Sequence, residues 1–169
     1  MVAIKAVVLD VDGVLTDGTF WWGGNGEEWK RFSFRDVMGI SQARKAGMLF
    51  ALVSGERGAL IERFAEKMGI TDVYAGCKDK ASAVTDFARK HGLELSALCY
   101  MGDDINDLPA LQLAGLAAAP ADAHASVRHV ARLVTRHYGG RGAVRELLDL
   151  LLSGELDARS RTDRSLQGS

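Results

Sequence analysis

The chain has 169 residues, 47% of them hydrophobic and 25% charged, with a formal net charge of −1. That length suits one domain with a sizeable core rather than two, and the near-neutral balance gives no support to nucleic-acid binding, which shows as a basic patch or stripe. No segment approaches the roughly 18 uninterrupted apolar residues of a membrane span, the N-terminus lacks a signal-peptide pattern, and Cys77 and Cys99, far apart and without a CxxC, read as reduced thiols of a cytoplasmic protein.

In chain order, Val2 to Leu9 reads as a buried strand, mostly β-branched and without polar alternation. Thr19 to Trp22 and Glu28 to Phe34, separated by Gly23-Gly24-Asn25-Gly26, read as a β-hairpin. Val37 to Ala46 has helical spacing and stops at Gly47; Met48 to Val53 is a second buried strand, followed by Ser54-Gly55 and a helix from Gly58 to Met68. Asp72 to Ala75 is a short strand, Lys80 to His91 a helix closed by Gly92, Ala97 to Met101 a strand and Asp107 to Ala114 a helix. Leu116 to Ala118 and Leu133 to Val134 read as late edge strands, and Ala143 to Leu152 as the last helix. Alternating strands and helices imply an α/β fold, a doubly wound parallel sheet covered on both faces. We expect one domain over residues 1–152 and a polar tail over 153–169, mobile or docked on another subunit.

In such sheets ligands bind just beyond the carboxyl ends of the strands, and the unusual polar residues fall there. Asp10 and Asp12 follow the first strand and Ser54 the second; Lys80 opens the helix after the third; Asp103, Asp104 and Asp107, in GDDIND, follow the fourth. Taken singly, each has a plainer reading. A carboxylate at a strand end serves as a cap or turn residue, Ser-Gly makes a turn, and a lone Lys is a solvated charge. Together they describe a phosphate-monoester site. Asp10, held by a strand end, suits a nucleophile; Asp12 suits a general acid and then base. A hard divalent cation, Mg²⁺, would relieve the repulsion among Asp10, Asp12 and Asp103 and orient a phosphoryl group. Lys80, the Ser54 hydroxyl and the backbone N–H groups from Gly55 onward can bind phosphate oxygens.

DVDGVLTDG, then Ser54, Lys80 and GDDIND, resemble in order and spacing the four motifs of the haloacid dehalogenase superfamily of phosphatases. The resemblance implies a Rossmann-like fold, an aspartyl-phosphate on Asp10, acid/base work by Asp12, and Mg²⁺ held by the Asp10 carboxylate, the Asp12 carbonyl and the Asp103 carboxylate. It leaves Ser54 and Lys80 to hold the phosphoryl group, with Asp104 and Asp107 orienting Lys80 or waters around it. Between Asp12 and Ser54 there is room only for the hairpin flap and one helix, so no cap domain is expected. The resemblance implies a homotetramer acting on a 2-keto-3-deoxy sugar-acid phosphate, in which the hairpin and the segment near the Gly139-Gly140 pair help close a neighbouring subunit's site.

NGEEWKRFSFRDVMGI and GGRGAVRELLDLLL are similar to segments of the phosphatases of 3-deoxy-D-manno-octulosonate (KDO) 8-phosphate, enzymes of lipopolysaccharide biosynthesis. That resemblance implies that Arg141 or Arg145 reaches the sugar acid's carboxylate. Glu56 stands where those enzymes carry Arg, and with Lys67 it resembles the relatives acting on 2-keto-3-deoxynononate (KDN) 9-phosphate; Val37 replaces a glycine of the eight-carbon branch. On these residues the reading leans to the nine-carbon acid, with the eight-carbon acid as the alternative. Trp21, Trp22 and Trp29 are expected at a subunit interface, since a hairpin alone cannot bury three indoles. His91, His124, His129 and His137 lack metal-ligand spacing, and a catalytic His124 would require its close approach to the metal centre. A receiver domain also joins a phospho-aspartate, Mg²⁺, Ser and Lys, but needs an Asp after the third strand, where this chain has Ala75-Gly76-Cys77. A noncatalytic assembly domain would have no use for the full acidic set.

Overall fold

The computed structural model describes residues 3–156. The chain runs through β1 (Ala6–Asp10), β2 (Trp21–Trp22), β3 (Glu28–Trp29), α1 (Phe34–Lys45), β4 (Leu49–Ser54), α2 (Ala59–Met68) and β5 (Asp72–Ala75). It continues through α3 (Lys80–His91), β6 (Leu98–Met101), α4 (Leu108–Leu113), β7 (Leu116–Ala119), α5 (Ala125–Val130), β8 (Leu133–Val134) and α6 (Ala143–Ser153). Six strands form one parallel sheet in the order β5-β4-β1-β6-β7-β8, and β2 and β3 pair apart from it.

Both faces of the sheet are covered, as continuous apolar strands require. Val7 and Leu9 of β1 join Phe50, Leu52 and Met101 beneath α1, α2 and α6. Ala6 and Val8, one residue out of phase, join Ala51, Val53 and Tyr100 beneath α3, α4 and α5. From β1 the chain winds to β4 and β5 on one side, then restarts at β6 and winds the other way. The reversal opens a crevice beyond the ends of β1 and β6, where ligands of this architecture sit.

β5, α3 and β8 begin and end where the sequence places them. Three expectations are corrected. The hairpin pairs over two residues on each strand rather than running from Thr19 and on to Phe34, because it lies off the sheet with no core to reward a longer ladder. Phe32 turns inward to stack on Phe64, ring centroids 4.4 Å apart, and Phe34 already begins α1. β7 is not an edge strand: β8 covers it, and its four residues are mostly buried. The short helix α5 went unforeseen; its N-cap is His124, whose Nδ1 accepts from the Ser126 N–H at 3.2 Å. Of the expected tail, Ser153 belongs to α6 and Leu156 packs on the core; residues 157–169, and Val2 of the first strand, lie outside the described residues.

Two contacts fix the segment between β8 and α6. A Cβ on Gly139 would lie 1.8 Å from the Gly13 carbonyl oxygen, so this segment lies backbone to backbone on the loop after β1, and the Gly140 N–H donates to the Val14 carbonyl at 2.9 Å. Asp36 of α1, 1% exposed, accepts from the Gly142 (3.2 Å) and Arg145 (2.8 Å) N–H groups at the open end of α6. Burial raises the pKa of Asp36 although those N–H bonds pull it down. Replacing Asp36 with Ala strands both donors and should lower stability by about 1–3 kcal/mol. The urea midpoint measures it, and Asp36→Asn, which keeps an acceptor, should lose less.

Candidate active site

β1 delivers Asp10 into the crevice, 4% exposed, and the first residue of α3 delivers Lys80, 3% exposed. The Lys80 ammonium lies 2.7 Å from Asp10 Oδ1 and 2.7 Å from Asp107 Oδ1. Asp107 is fully buried and saturated. Its Oδ1 also accepts from the Tyr100 hydroxyl (2.6 Å), and its Oδ2 accepts from the Asp103 (3.0 Å) and Asp104 (3.1 Å) N–H groups. A carboxylate offers about four lone-pair sites, and all are taken, so Asp107 aims Lys80 and shapes the GDDIND loop. Asp104 caps the turn that follows, donated to by the Ile105 N–H at 2.7 Å.

Carboxylate oxygens of Asp10, Asp103 and Asp107 lie within 4.8 Å of one another. Three carboxylates against one ammonium leave two negative charges in a buried crevice, the charge a divalent cation balances. Gly13 makes the approach of Asp103 feasible: its φ is +89°, and a Cβ there would lie 2.0 Å from Asp103 Oδ2. Crowding shows in the acids. Burial, then the Asp107 charge, raises the pKa of Asp10 well above the carboxylate range and pushes Asp103 up to about 7. Lys80 is raised above its ordinary value: burial pulls it down, and Asp10 and Asp107 more than offset that.

Ser54 ends β4 beside them, 2% exposed, its hydroxyl accepting from the Glu56 N–H at 3.1 Å. Asp10, Asp12, Ser54, Lys80 and Asp103 line one cavity of about 270 Å³. Gly55, Glu56 and Asp104 line it too. The structure does not bring every named residue here. Lys67 lines a separate groove with Phe32 and Phe64, so it shares no cavity with Glu56. Arg145 lines a third cavity, its Nε held by both Asp149 oxygens at 2.8 Å. Arg141 is exposed, 3.9 Å from Asp17. His124 comes near only through its backbone, its N–H donating to the Asp103 carbonyl at 2.7 Å.

Sequence reasoning missed Lys30, Tyr100 and Thr16. Lys30 lies 2.9 Å from Asp12 Oδ1. Thr16, fully buried, accepts from the Gly13 and Gly18 N–H groups, both at 3.3 Å, and holds the loop's shape. A hydroxyl in the apolar strand Leu98–Met101 was the available signal for Tyr100. Asp17, third of the early acids, serves the loop instead: it pairs with Arg31 at 2.6 Å. The loop after β5 brings no acid into the cavity; Asp79 caps α3 through the Ser82 N–H at 3.1 Å.

Residues 64–147 match the haloacid dehalogenase-like hydrolase family. The KDO 8-phosphate phosphatase KdsC of Escherichia coli (strain K12) is 43% identical over 156 residues, covering 91% of this chain and 83% of its own. The Yersinia pestis enzyme of that name is 40% identical over 149 residues, 88% and 80% of the two chains. Among solved structures, the Moraxella catarrhalis KDO 8-phosphate phosphatase in complex with magnesium, phosphate and KDO superposes with TM-score 0.88 at 34% identity, covering 95% of this chain and 93% of that one. The cobalt-bound Haemophilus influenzae phosphatase gives TM-score 0.87 at 37% identity, covering 89% and 88%.

The raised acids set a pH dependence. A carboxyl whose folded pKa is raised, as at Asp103 from 3.8 to about 7, contributes stability in full below its unfolded value and loses it as pH rises through the folded value. Asp10 and Asp36 shift the same way. In chelator, Tm should fall between about pH 5 and pH 8. Added Mg²⁺ should suppress the fall, because a cation then does the proton's work. A chelated Tm that stays flat or rises over that window contradicts this.

Proposed function

The chain belongs to the haloacid dehalogenase-like hydrolases, within the family of the KDO 8-phosphate phosphatases, and we propose that it frees inorganic phosphate from that eight-carbon acid through an aspartyl-phosphate. It is a phosphoric monoester hydrolase. The observation that carries the reading is the meeting of Asp10, Lys80 and Asp103 at the end of β1, with Ser54 on the same cavity wall. The eight-carbon acid stood as the alternative to the nine-carbon one. It is preferred because the named relatives carry it.

Hard oxygen donors and the excess of two negative charges suit Mg²⁺, which the Asp10 and Asp103 carboxylates and the Asp12 carbonyl would hold. Bound there, it supplies positive charge against the phosphoryl oxygens. The chain's own groups do the rest. Lys80, kept in place by Asp107, the Ser54 hydroxyl and the N–H groups from Gly55 hold the phosphoryl oxygens. An Asp10 oxygen bonds to phosphorus as the bond to the sugar's terminal oxygen breaks, and Asp12 gives that oxygen its proton. Asp12, now anionic, takes a proton from water as the water oxygen bonds to phosphorus. The Asp10–phosphorus bond breaks, phosphate leaves, and both acids return to their starting states.

Glu56 stands where the sugar end enters. Arg141 and Arg145 lie off this chain's cavity, so the grip of one or the other on the acid's carboxylate is assigned to a neighbour's site in a homotetramer. The exposed flap supports that assembly: Trp21, Trp22 and Trp29 are 53, 72 and 52% exposed. Residues 1–152 act as one capless domain. No helix among the described residues is long and apolar enough to cross a membrane. The free cysteines Cys77 and Cys99 support a cytoplasmic enzyme.

Asp10→Asn keeps the shape but loses the nucleophile, and phosphate release should fall at least about 1,000-fold with the fold intact by circular dichroism. In a turnover panel with Mg²⁺, kcat/KM for KDO 8-phosphate should exceed that for KDN 9-phosphate by about tenfold or more, roughly 1.4 kcal/mol in transition-state binding. The reverse order transfers the function to the nine-carbon acid.

A further inference from the structure

We propose that Lys30, carried by the flap, is a positioning residue that fixes the Asp12 carboxylate for proton transfer; this rests on the acid/base reading of Asp12. Asp12 follows β1 by two residues, and its side chain is 33% exposed. Its one hydrogen-bond partner among the described residues is the Lys30 ammonium, 2.9 Å from Oδ1. Oδ2 is left without a partner there, on a residue that lines the catalytic cavity. A carboxylate on a loop, otherwise unheld, spreads over rotamers, and misplacement by about 1 Å reduces a rate by up to about 100-fold.

Lys30 is built to hold. Its side chain is 6% exposed, unusual for a flap lysine. Glu28 Oε1 lies 3.4 Å from the same ammonium, and Glu28 Oε2 accepts from the Trp22 indole N–H at 3.1 Å, so both flap strands brace it. The next residue, Arg31, reaches Asp17 at 2.6 Å. Adjacent flap residues thus pin both ends of the loop that carries Asp12. The flap, placed by sequence as a lid over a neighbour's site, grips its own chain's acid. An ordinary exposed ion pair would tie down the flap and no more; a positioning residue affects one step of the chemistry.

The test compares two esters on the full chain with Mg²⁺. KDO 8-phosphate expels a primary alkoxide that needs a proton; p-nitrophenyl phosphate expels a phenolate that does not. Because kcat/KM spans the steps up to the aspartyl-phosphate, the ratio of the two values (sugar ester over aryl ester) reads proton donation and is unaffected by the fraction of enzyme folded. Lys30→Met should lower that ratio about 10- to 100-fold, Lys30→Arg should restore most of it, and Asp12→Asn should lower it by about 100-fold or more. A ratio unchanged in Lys30→Met but lowered in Asp12→Asn overturns the role of Lys30 alone. A ratio unchanged in both removes the acid/base assignment of Asp12 and this proposal with it. If Lys30→Met yields no soluble protein, Lys30→Gln is judged by the same ratio.

Discussion

The contact on which the site depends is the Lys80 ammonium between Asp10 and Asp107. Burying three carboxylates together is prohibitive without compensation, and one lysine offsets only part of it. The unbalanced charge that remains is what a divalent cation would offset. Lys80 is fixed not by packing alone but by an acceptor with no spare capacity, since Asp107 is filled by Lys80, Tyr100 and two loop N–H groups. One buried carboxylate therefore places both the Lys80 ammonium and the loop that brings in Asp103.

The topology makes this meeting local. β1 has β4 on one side and β6 on the other, and the winding reverses between β1 and β6. Asp10 and Asp103 hence converge from adjacent strands although far apart in sequence. Backbone packing completes the arrangement. Gly13 yields its side-chain space to Asp103, and Gly139 presses on Gly13 from the far side. The Gly139-Gly140 pair, which resemblance tied to a neighbour's site, has this packing role within its own chain. Asp36 secures it by holding the start of α6.

Strand ends were legible because a buried parallel strand is a continuous apolar run and stops where polarity begins. Sequence alone therefore groups Asp10, Ser54, Lys80 and Asp103, and it bounds the helix after β5 correctly by Asp79 and Gly92. What sequence could not show was partnership. Lys30 sits in a run of alternating charge, Glu27-Glu28-Trp29-Lys30-Arg31, which reads as a solvated surface. Its burial arises only once the flap folds back on the β1 loop. Spacing likewise does not show that Glu56 and Lys67 line different cavities of the one chain. Short elements were misjudged for want of periodicity. The hairpin was drawn too long, and the six-residue α5 was missed.

Pockets that enclose a small molecule run from about 300 to 1,000 Å³, and the cavity lined by Asp10, Asp12, Ser54, Lys80 and Asp103 is small at about 270 Å³, with Glu56, Asp104 and Asn106 completing its polar wall. Beside it, the flap's inner side grips Asp12 through Lys30 while its indoles face outward. Whatever settles on those indoles presses on the same element that holds the acid. One short hairpin thus carries both an exposed aromatic surface and the hold on the loop after β1, to which Lys30 and Arg31 tie it.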